Sequence, residues 1–144
     1  MSRSTDAIQV HQRLPDVTRA LTGAQAAVAT AAGDHRLHHL VHLRASQINQ
    51  CSYCVNMHLR EAREDGEQQA RLDQLVVWRH VDVFSSAEKA ALAWTEALTR
   101  LDPGTDLAPL RTRLRLHFGD AEIAALTADI AMINLWNRIM VADH

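Results

Sequence analysis

The two cysteines of the chain lie three residues apart in the stretch Ile48 to His58, which reads INQCSYCVNMH. His58 follows four residues after Cys54. On a helix, positions spaced by three or four residues lie about one turn apart on the same side, so Cys51, Cys54 and His58 would form one stripe. Two thiols at this spacing can close a disulfide, and an adjacent imidazole can deprotonate one of them. The spacing is therefore typical of a dithiol redox site.

Other interpretations of this cluster stay open. Cys51, Cys54 and His58 supply three possible zinc ligands, and another of the nine histidines could be the fourth, although the chain has no second cysteine pair. Buried cysteines also pack as small apolar residues without any chemistry. Covalent c-type haem needs a histidine directly after the second cysteine, where this chain has Val55. A thioredoxin site needs a preceding strand, and no such pattern is present.

Length, charge and composition limit the class of protein. The 144 residues, 47% of them apolar, predict one domain over residues 1–144 with a single core. A net charge of −2 and scattered basic residues, without a basic run, give no reason to expect a nucleic-acid partner. Neither a leader nor a membrane-length apolar run is recognisable, so we expect a cytoplasmic protein without a membrane partner. Because cytoplasmic thiols stay reduced, a close cysteine pair there favours catalysis or metal binding over a structural disulfide.

Helix formers dominate the chain, which has five glycines and three prolines, and this predicts an all-α bundle of about six to seven helices. Residues 1–15 are polar and predict an N-terminal arm. Caps are predicted at Asp34, at Asp120 and at Ser85, where Glu88 completes a capping box. The predicted helices cover about 16–32, 34–49, 51–65, 67–78, 85–101, 107–118 and 120–141.

Two helices carry unusual patterns. The last helix is apolar on more than one side, which predicts that it is central to the bundle or packs against another subunit. The second helix carries four histidines on one face, which predicts either a solvated polar face or a proton relay to the cysteine stripe: His35, His38, His39 and His42. Arg44 and Gln47 lie beside its apolar side, so we expect a buried hydrogen-bond network there, with Glu96 as a candidate partner.

Longer motifs resemble a known family. The segments LVHLRASQINQCSYCVNMHLREAR (Leu40 to Arg63), WRHVDVFSSAEKAALAWTEALT (Trp78 to Thr99) and INLWNR (Ile133 to Arg138) are similar to the AhpD-like alkylhydroperoxidases of the carboxymuconolactone decarboxylase superfamily. The resemblance covers most of the chain. It implies an AhpD-like all-helical fold, a trimeric or hexameric homo-oligomer, and a thiol peroxidase or disulfide reductase that needs neither metal nor haem. Superfamily members that decarboxylate generally lack the cysteine pair, which disfavours a lactone decarboxylase.

The resemblance also implies roles for single residues. Cys54 corresponds to the peroxidatic cysteine, Cys51 to its disulfide partner and His58 to the histidine that helps to deprotonate the thiol. A glutamate of the family's proton relay falls on His39, and the glycine before the first cysteine falls on Gln50. Catalytic residues are thus expected at Cys54, Cys51, His58 and His39.

The expected activity is the reduction of small organic hydroperoxides without a bound cofactor, with an external protein or lipoyl-type dithiol as the electron donor. Tyr53 and Met57 are expected near the site, where they would favour alkyl peroxides. The alternatives are a general disulfide reductase of the same fold and a non-catalytic, zinc-binding structural oligomer.

Overall fold

The computed structural model describes residues 6–144, and these contain helices but no strand. The elements are α1 (Val10–Arg13), α2 (Pro15–Ala32), α3 (His35–Ile48), α4 (Ser52–Glu64), α5 (Gln69–Asp73), a 3-10 helix (Leu75–His80), α6 (Ser86–Arg100), α7 (Ala108–Arg115) and α8 (Asp120–Asp143). The predicted all-α class is confirmed. The described residues form eight α-helices and one 3-10 helix, so the predicted number of six to seven was too low. That residues 1–144 make one domain stays a prediction.

Local capping chemistry sets several helix starts. The Asp34 carboxylate accepts the backbone N–H groups of Arg36 and Leu37, and Ser85 and Glu88 form the predicted capping box. The last helix differs from the prediction, because Gly119 occupies the cap and Asp120 is the first helical residue. The Glu122 carboxylate accepts the Gly119 N–H. It thereby satisfies a donor that the helix itself leaves unpaired.

The helix predicted over 67–78 is wrong as a single element. It divides into α5 and the 3-10 helix, with a non-helical backbone at Val77 (φ −117°, ψ 27°). Adjacent β-branched Val76 and Val77 weaken the helix at this point. The break also accompanies the burial of Trp78, whose indole N–H donates to the Glu96 carboxylate at 2.9 Å. The helix therefore breaks at Val77, directly before the residue whose indole makes a tertiary hydrogen bond.

The predicted N-terminal arm is partly helical. Residues 1–5 lie outside the described part of the chain, whereas Val10–Arg13 form α1 and Pro15 begins α2. The Asp143 carboxylate, at the end of α8, accepts the backbone N–H groups of Gln9 and Val10 at 2.8 and 2.9 Å. These bonds hold the N-terminal segment against the end of the last helix.

The core lies around α3, α6 and α8. Helix α8 packs against α2, α3, α4, α6 and α7, so the prediction that it is central to the bundle is confirmed. The predicted buried network is also present: Arg44 Nε donates to Glu96 at 3.0 Å and Arg44 Nη1 donates to Gln47 at 3.0 Å. None of the helices in residues 6–144 combines the length and apolar character that crossing a membrane requires.

Candidate dithiol site

The turn between α3 and α4 places both sulfurs at a helix N-terminus. Gln50 adopts a left-handed conformation (φ 56°), and the Cys51 N–H donates back to the Ser46 carbonyl at 3.1 Å. This is the Schellman arrangement, in which a left-handed residue ends a helix. Cys51 then caps α4, its sulfur accepting the Cys54 N–H at 3.3 Å. The end of one helix and the start of the next therefore bring the two cysteines together.

Cys51 and Cys54 form a disulfide, with Cα atoms 5.3 Å apart. Both side chains are buried, Cys51 at 2% and Cys54 at 1% exposure. This Cα separation is within the normal range for a disulfide, so closing and opening the bond requires little backbone movement. The pair can therefore alternate between dithiol and disulfide in place.

His58 lies one turn beyond Cys54 and is also buried. Neither ring nitrogen has a hydrogen-bond partner, although Nδ1 lies 3.4 Å from the Glu61 carboxylate. Burial, followed by the nearby ring of His42, lowers the pKa of His58 to about 3. The imidazole is consequently neutral near pH 7 and has a free lone pair. Because so low a pKa makes the imidazole a weak base, it accepts a proton only when a negative charge, such as a thiolate, forms beside it.

Behind His58 lies a buried carboxylate that was not among the predicted site residues. The rings of His42 and His58 meet edge to face, with centroids 5.0 Å apart. His42 Nε2 donates to Asp129 Oδ1 at 2.7 Å, and His38 Nδ1 donates to Asp129 Oδ2 at 2.8 Å. Although burial alone raises the pKa of Asp129, these two hydrogen bonds hold that pKa well below its usual range. Burial lowers the pKa of His42 despite its bond to Asp129.

His39 lies apart from this group. Its Nε2 donates to the carboxylate of Asp65, just after α4, at 2.6 Å, and its ring centroid is 5.6 Å from that of His38. The ring is buried but does not line the cavity that Cys54 lines. The structure therefore brings together three of the four predicted site residues, Cys51, Cys54 and His58, and places His39 one side chain further out.

The predicted histidine face of α3 is thus not a solvated surface. His35 is exposed and His38 is half-buried, but His39 and His42 are buried. His42, rather than His39, reaches the ring of His58. Asp129 had a signal in the sequence, being the one charged residue in the stretch from Ile123 to Ile133, where Thr127 is the other polar residue. A buried carboxylate in such a helix requires a polar partner.

A cavity of about 370 Å³ adjoins Cys54. Tyr53 and Met57 line it, as the sequence predicted, and so do apolar groups from α8. The remaining lining residues are His11, Gln25, His38, His42, Cys54, His58, Glu61, Ile133, Trp136 and Met140. Because its wall is largely apolar around a few polar groups, the cavity can admit a small organic molecule to the sulfur.

The fold and the site together define a class: all-helical proteins with a Cys-x-x-Cys pair at the start of a helix and a histidine one turn later. Comparison with known proteins shows the family. The chain belongs to the carboxymuconolactone decarboxylase family, whose model matches residues 15–97, and it is an AhpD-like member.

Individual relatives agree with this placement. The chain is 37% identical to the uncharacterized protein YdfG of Bacillus subtilis over 103 residues, which are 72% of this chain and 70% of that protein. It is 36% identical to an Agrobacterium tumefaciens protein of unknown function, whose assignment as the antioxidant defence protein AhpD is provisional. The two structures superpose with a TM-score of 0.90 over 96% of this chain and 95% of the other.

A more distant structure shares the fold alone. An uncharacterized peroxidase-related protein of a Silicibacter species is 21% identical, with a TM-score of 0.73 over 87% of this chain and 66% of that one.

Proposed function

We propose that the protein is a thiol-dependent hydroperoxide reductase acting on small organic hydroperoxides. The observation that carries this proposal is the position of Cys54, a buried half of a disulfide that lines an organic-sized cavity one turn from a neutral imidazole. Membership in an AhpD-like family, with a structural relative provisionally assigned to antioxidant defence, supports the same chemistry.

The reaction begins from the reduced pair. His58 accepts the Cys54 proton, and the thiolate attacks the distal oxygen of the hydroperoxide. The O–O bond breaks, the alcohol leaves with the proton from His58, and Cys54 becomes a sulfenic acid. The Cys51 thiol then attacks the Cys54 sulfur, forms the disulfide and releases water. One hydroperoxide and two thiols thus give one alcohol, one water and one disulfide.

The remaining parts of the proposal concern the surroundings of this pair. An external dithiol, of protein or lipoyl type, reduces the disulfide, and this requires a reducing compartment such as the cytoplasm. His39 takes the outer position of the proton relay, linked to the site by way of the His38 ring. Tyr53 and Met57 favour alkyl groups over water-like substrates, since they line the cavity beside Cys54. The working form is a homo-oligomer.

A thiol titration tests this reaction without knowledge of the donor. The reduced protein, freed of reductant, is mixed with cumene hydroperoxide, and the remaining thiols are counted against the peroxide consumed. We expect two thiols lost for each peroxide, and no peroxide consumption by Cys54→Ser. In Cys51→Ser, a sulfenic acid should accumulate that a dimedone-type probe labels. Normal turnover by Cys54→Ser would overturn the proposal.

A general disulfide reductase is the competing activity within the same fold. The burial of Cys54, at 1% exposure beside the cavity, favours a slender hydroperoxide over a bulky disulfide. The test compares the turnover of cumene hydroperoxide with that of a small disulfide, using the same enzyme and the same dithiol donor. Faster turnover of the disulfide would favour the reductase.

A further inference from the structure

The group His38, His42 and Asp129 has a geometry that the proton relay does not require. His38 and His42 are four residues apart on one face of α3, and Asp129 faces them from α8. One potential ligand atom from each of the three side chains lies within 4.8 Å of the other two. Ligands of one zinc ion, at about 2.0–2.2 Å from it, lie roughly 3–4 Å apart. Small adjustments would therefore bring all three around one ion. The two imidazole–carboxylate pairs, now hydrogen-bonded at 2.8 and 2.7 Å, would separate slightly and exchange those bonds for bonds to the metal.

The charge balance of this group points in the same direction. Asp129 is 2% exposed and turns both carboxylate oxygens toward imidazoles. Among residues 6–144, no Lys or Arg lies within ion-pairing distance of that carboxylate, so it has no permanent cation beside it. A buried carboxylate is normally paired with a cation or bound to a metal. The two imidazoles satisfy its hydrogen bonds but provide no fixed charge.

Cavities adjoin the group on two sides. His38 and Asp129 line a cavity of about 230 Å³, whose wall also includes His117 and Glu122. His38 and His42 line the larger cavity next to Cys54. An ion held by the three side chains would thus have an entry path and space for water at its remaining positions, as a metal site with three protein ligands requires.

We propose that His38, His42 and Asp129 bind a divalent transition-metal ion such as Zn²⁺, with water completing the coordination from the adjoining cavities. Two imidazoles and one carboxylate suit Zn²⁺, Co²⁺ or Fe²⁺ rather than Mg²⁺ or Ca²⁺, which prefer oxygen ligands. The site is distinct from the zinc cluster that the sequence left open, because it uses neither cysteine nor His58. It also does not depend on the proposed peroxide chemistry, since it can be measured with the disulfide closed.

The test is a Co²⁺ titration of untagged, chelator-treated protein in the disulfide form, followed by visible absorption and confirmed by displacement with Zn²⁺. We expect one Co²⁺ per chain with the spectrum of nitrogen and oxygen ligands. His38→Gln, at a half-buried position, should weaken binding at least about tenfold, since loss of supporting groups alone costs 10–100-fold. Asp129→Asn should do the same. His35→Gln, an exposed histidine of the same helix, is the matched control and should bind like the unmodified chain.

Each other outcome overturns the site. Absence of Co²⁺ binding would do so, as would binding that appears only after the disulfide is reduced, because the thiols would then be the ligands. Equal binding by His38→Gln and the unmodified chain, or equal losses in His38→Gln and His35→Gln, would place the ion on surface histidines. Circular dichroism confirms that each variant is folded. If Asp129→Asn does not fold, His38→Gln decides the result.

Discussion

At the scale of single residues, the proposed reactivity of Cys54 depends on a base that is uncharged and has a free ring nitrogen. His58 meets both conditions, since neither ring nitrogen is bonded and its pKa is lowered, by burial first, to about 3. A neutral imidazole one turn from the sulfur can take the thiol proton as the thiolate forms, because that negative charge favours the imidazolium. The two cysteines alone would provide a disulfide without a base.

We therefore expect His58→Gln to lower the rate of peroxide consumption roughly 100-fold, a typical loss for a general base. Single-turnover oxidation of the reduced protein by cumene hydroperoxide measures this step directly. His39→Gln is the matched histidine variant, and we expect a loss of only a few-fold because His39 bonds to Asp65 outside the cavity. Equal losses in the two variants would contradict this assignment and make His39 an essential part of the relay.

The residues of the site fall into two groups: those that are close together in the sequence and those that only the packing of helices brings together. Cys51, Cys54 and His58 could be predicted because three- and four-residue spacing fixes their arrangement once the helix forms. The contact of His42 with Asp129 spans 87 residues and depends on how α3 packs on α8. The histidine face was visible in the sequence, but which histidine would be buried was set by that packing.

At the scale of helices, the turn before Cys51 is formed at an energetic cost. Gln50 occupies the left-handed position of the Schellman motif at φ 56°, where glycine is the usual residue. A left-handed conformation costs a non-glycine residue about 1–2 kcal/mol. The chain therefore carries strain directly beside the first sulfur.

Replacing Gln50 by glycine should stabilise the fold by about 0.5–1 kcal/mol, because the relief of strain exceeds the entropic cost of glycine. The free energy of unfolding, measured with urea, tests this expectation. Gln74→Gly is the control: Gln74 also follows a helix, but at an ordinary φ of −95°, and its replacement should destabilise the protein. A stabilisation of similar size in both variants would show that strain at Gln50 is not the cause.

The success of the helix predictions followed from local chemistry. Asp34 and the Ser85–Glu88 box cap their helices through side chains within three residues of the bonds they make, so the sequence contains the whole interaction. The break at Val77 was not predictable in this way. There, the bond from Trp78 to Glu96 joins residues 18 apart, and no local pattern reports it.

At the scale of the whole molecule, Glu96 joins three elements around one buried carboxylate. It accepts from Arg44 on α3, Trp78 and Arg79 on the 3-10 helix, and Arg100 on its own helix, at 2.6–3.0 Å. Burial alone raises the pKa of Glu96, but the bonds from Arg79, Trp78 and Arg44 lower it to about 2. Its contribution to stability is thus full above its ordinary pKa of 4.5 and lost as the pH falls toward 2.

We expect Glu96→Gln to destabilise the protein by about 3 kcal/mol at pH 7, because it leaves the buried Arg44 without its counter-charge. The difference in the free energy of unfolding from the unmodified chain should shrink as the pH falls from about 4.5 to about 2. Urea unfolding across this range measures it. Glu64→Gln, at an exposed carboxylate, is the control. A difference that stays constant with pH would contradict the role of the charge.

Helix α2 carries a surface feature that bears on the assembly of the whole molecule. Helix α2 has 18 residues and no fully buried side chain, although it packs on α8. Along its outer side runs a stripe of exposed small apolar residues at helical spacing: Val17, Ala20, Ala24, Ala27 and Ala31. A helix with so little burial contributes little to a single-chain core, whereas such a stripe allows close packing of another helix. This pattern supports the proposed homo-oligomer.

Light scattering of the purified protein should accordingly give the mass of two or more chains, each of 16.1 kDa. Ala24→Glu, at the centre of the stripe, should shift the population toward a smaller species, because a carboxylate buried between subunits lacks a partner. Thr22→Glu is exposed on the opposite side of the same helix and should leave the mass unchanged. A monomeric mass for the unmodified chain would remove the oligomer from the proposal, and equal shifts in the two variants would place the interface elsewhere. The dithiol chemistry is measured separately by thiol counting, so either result leaves it standing.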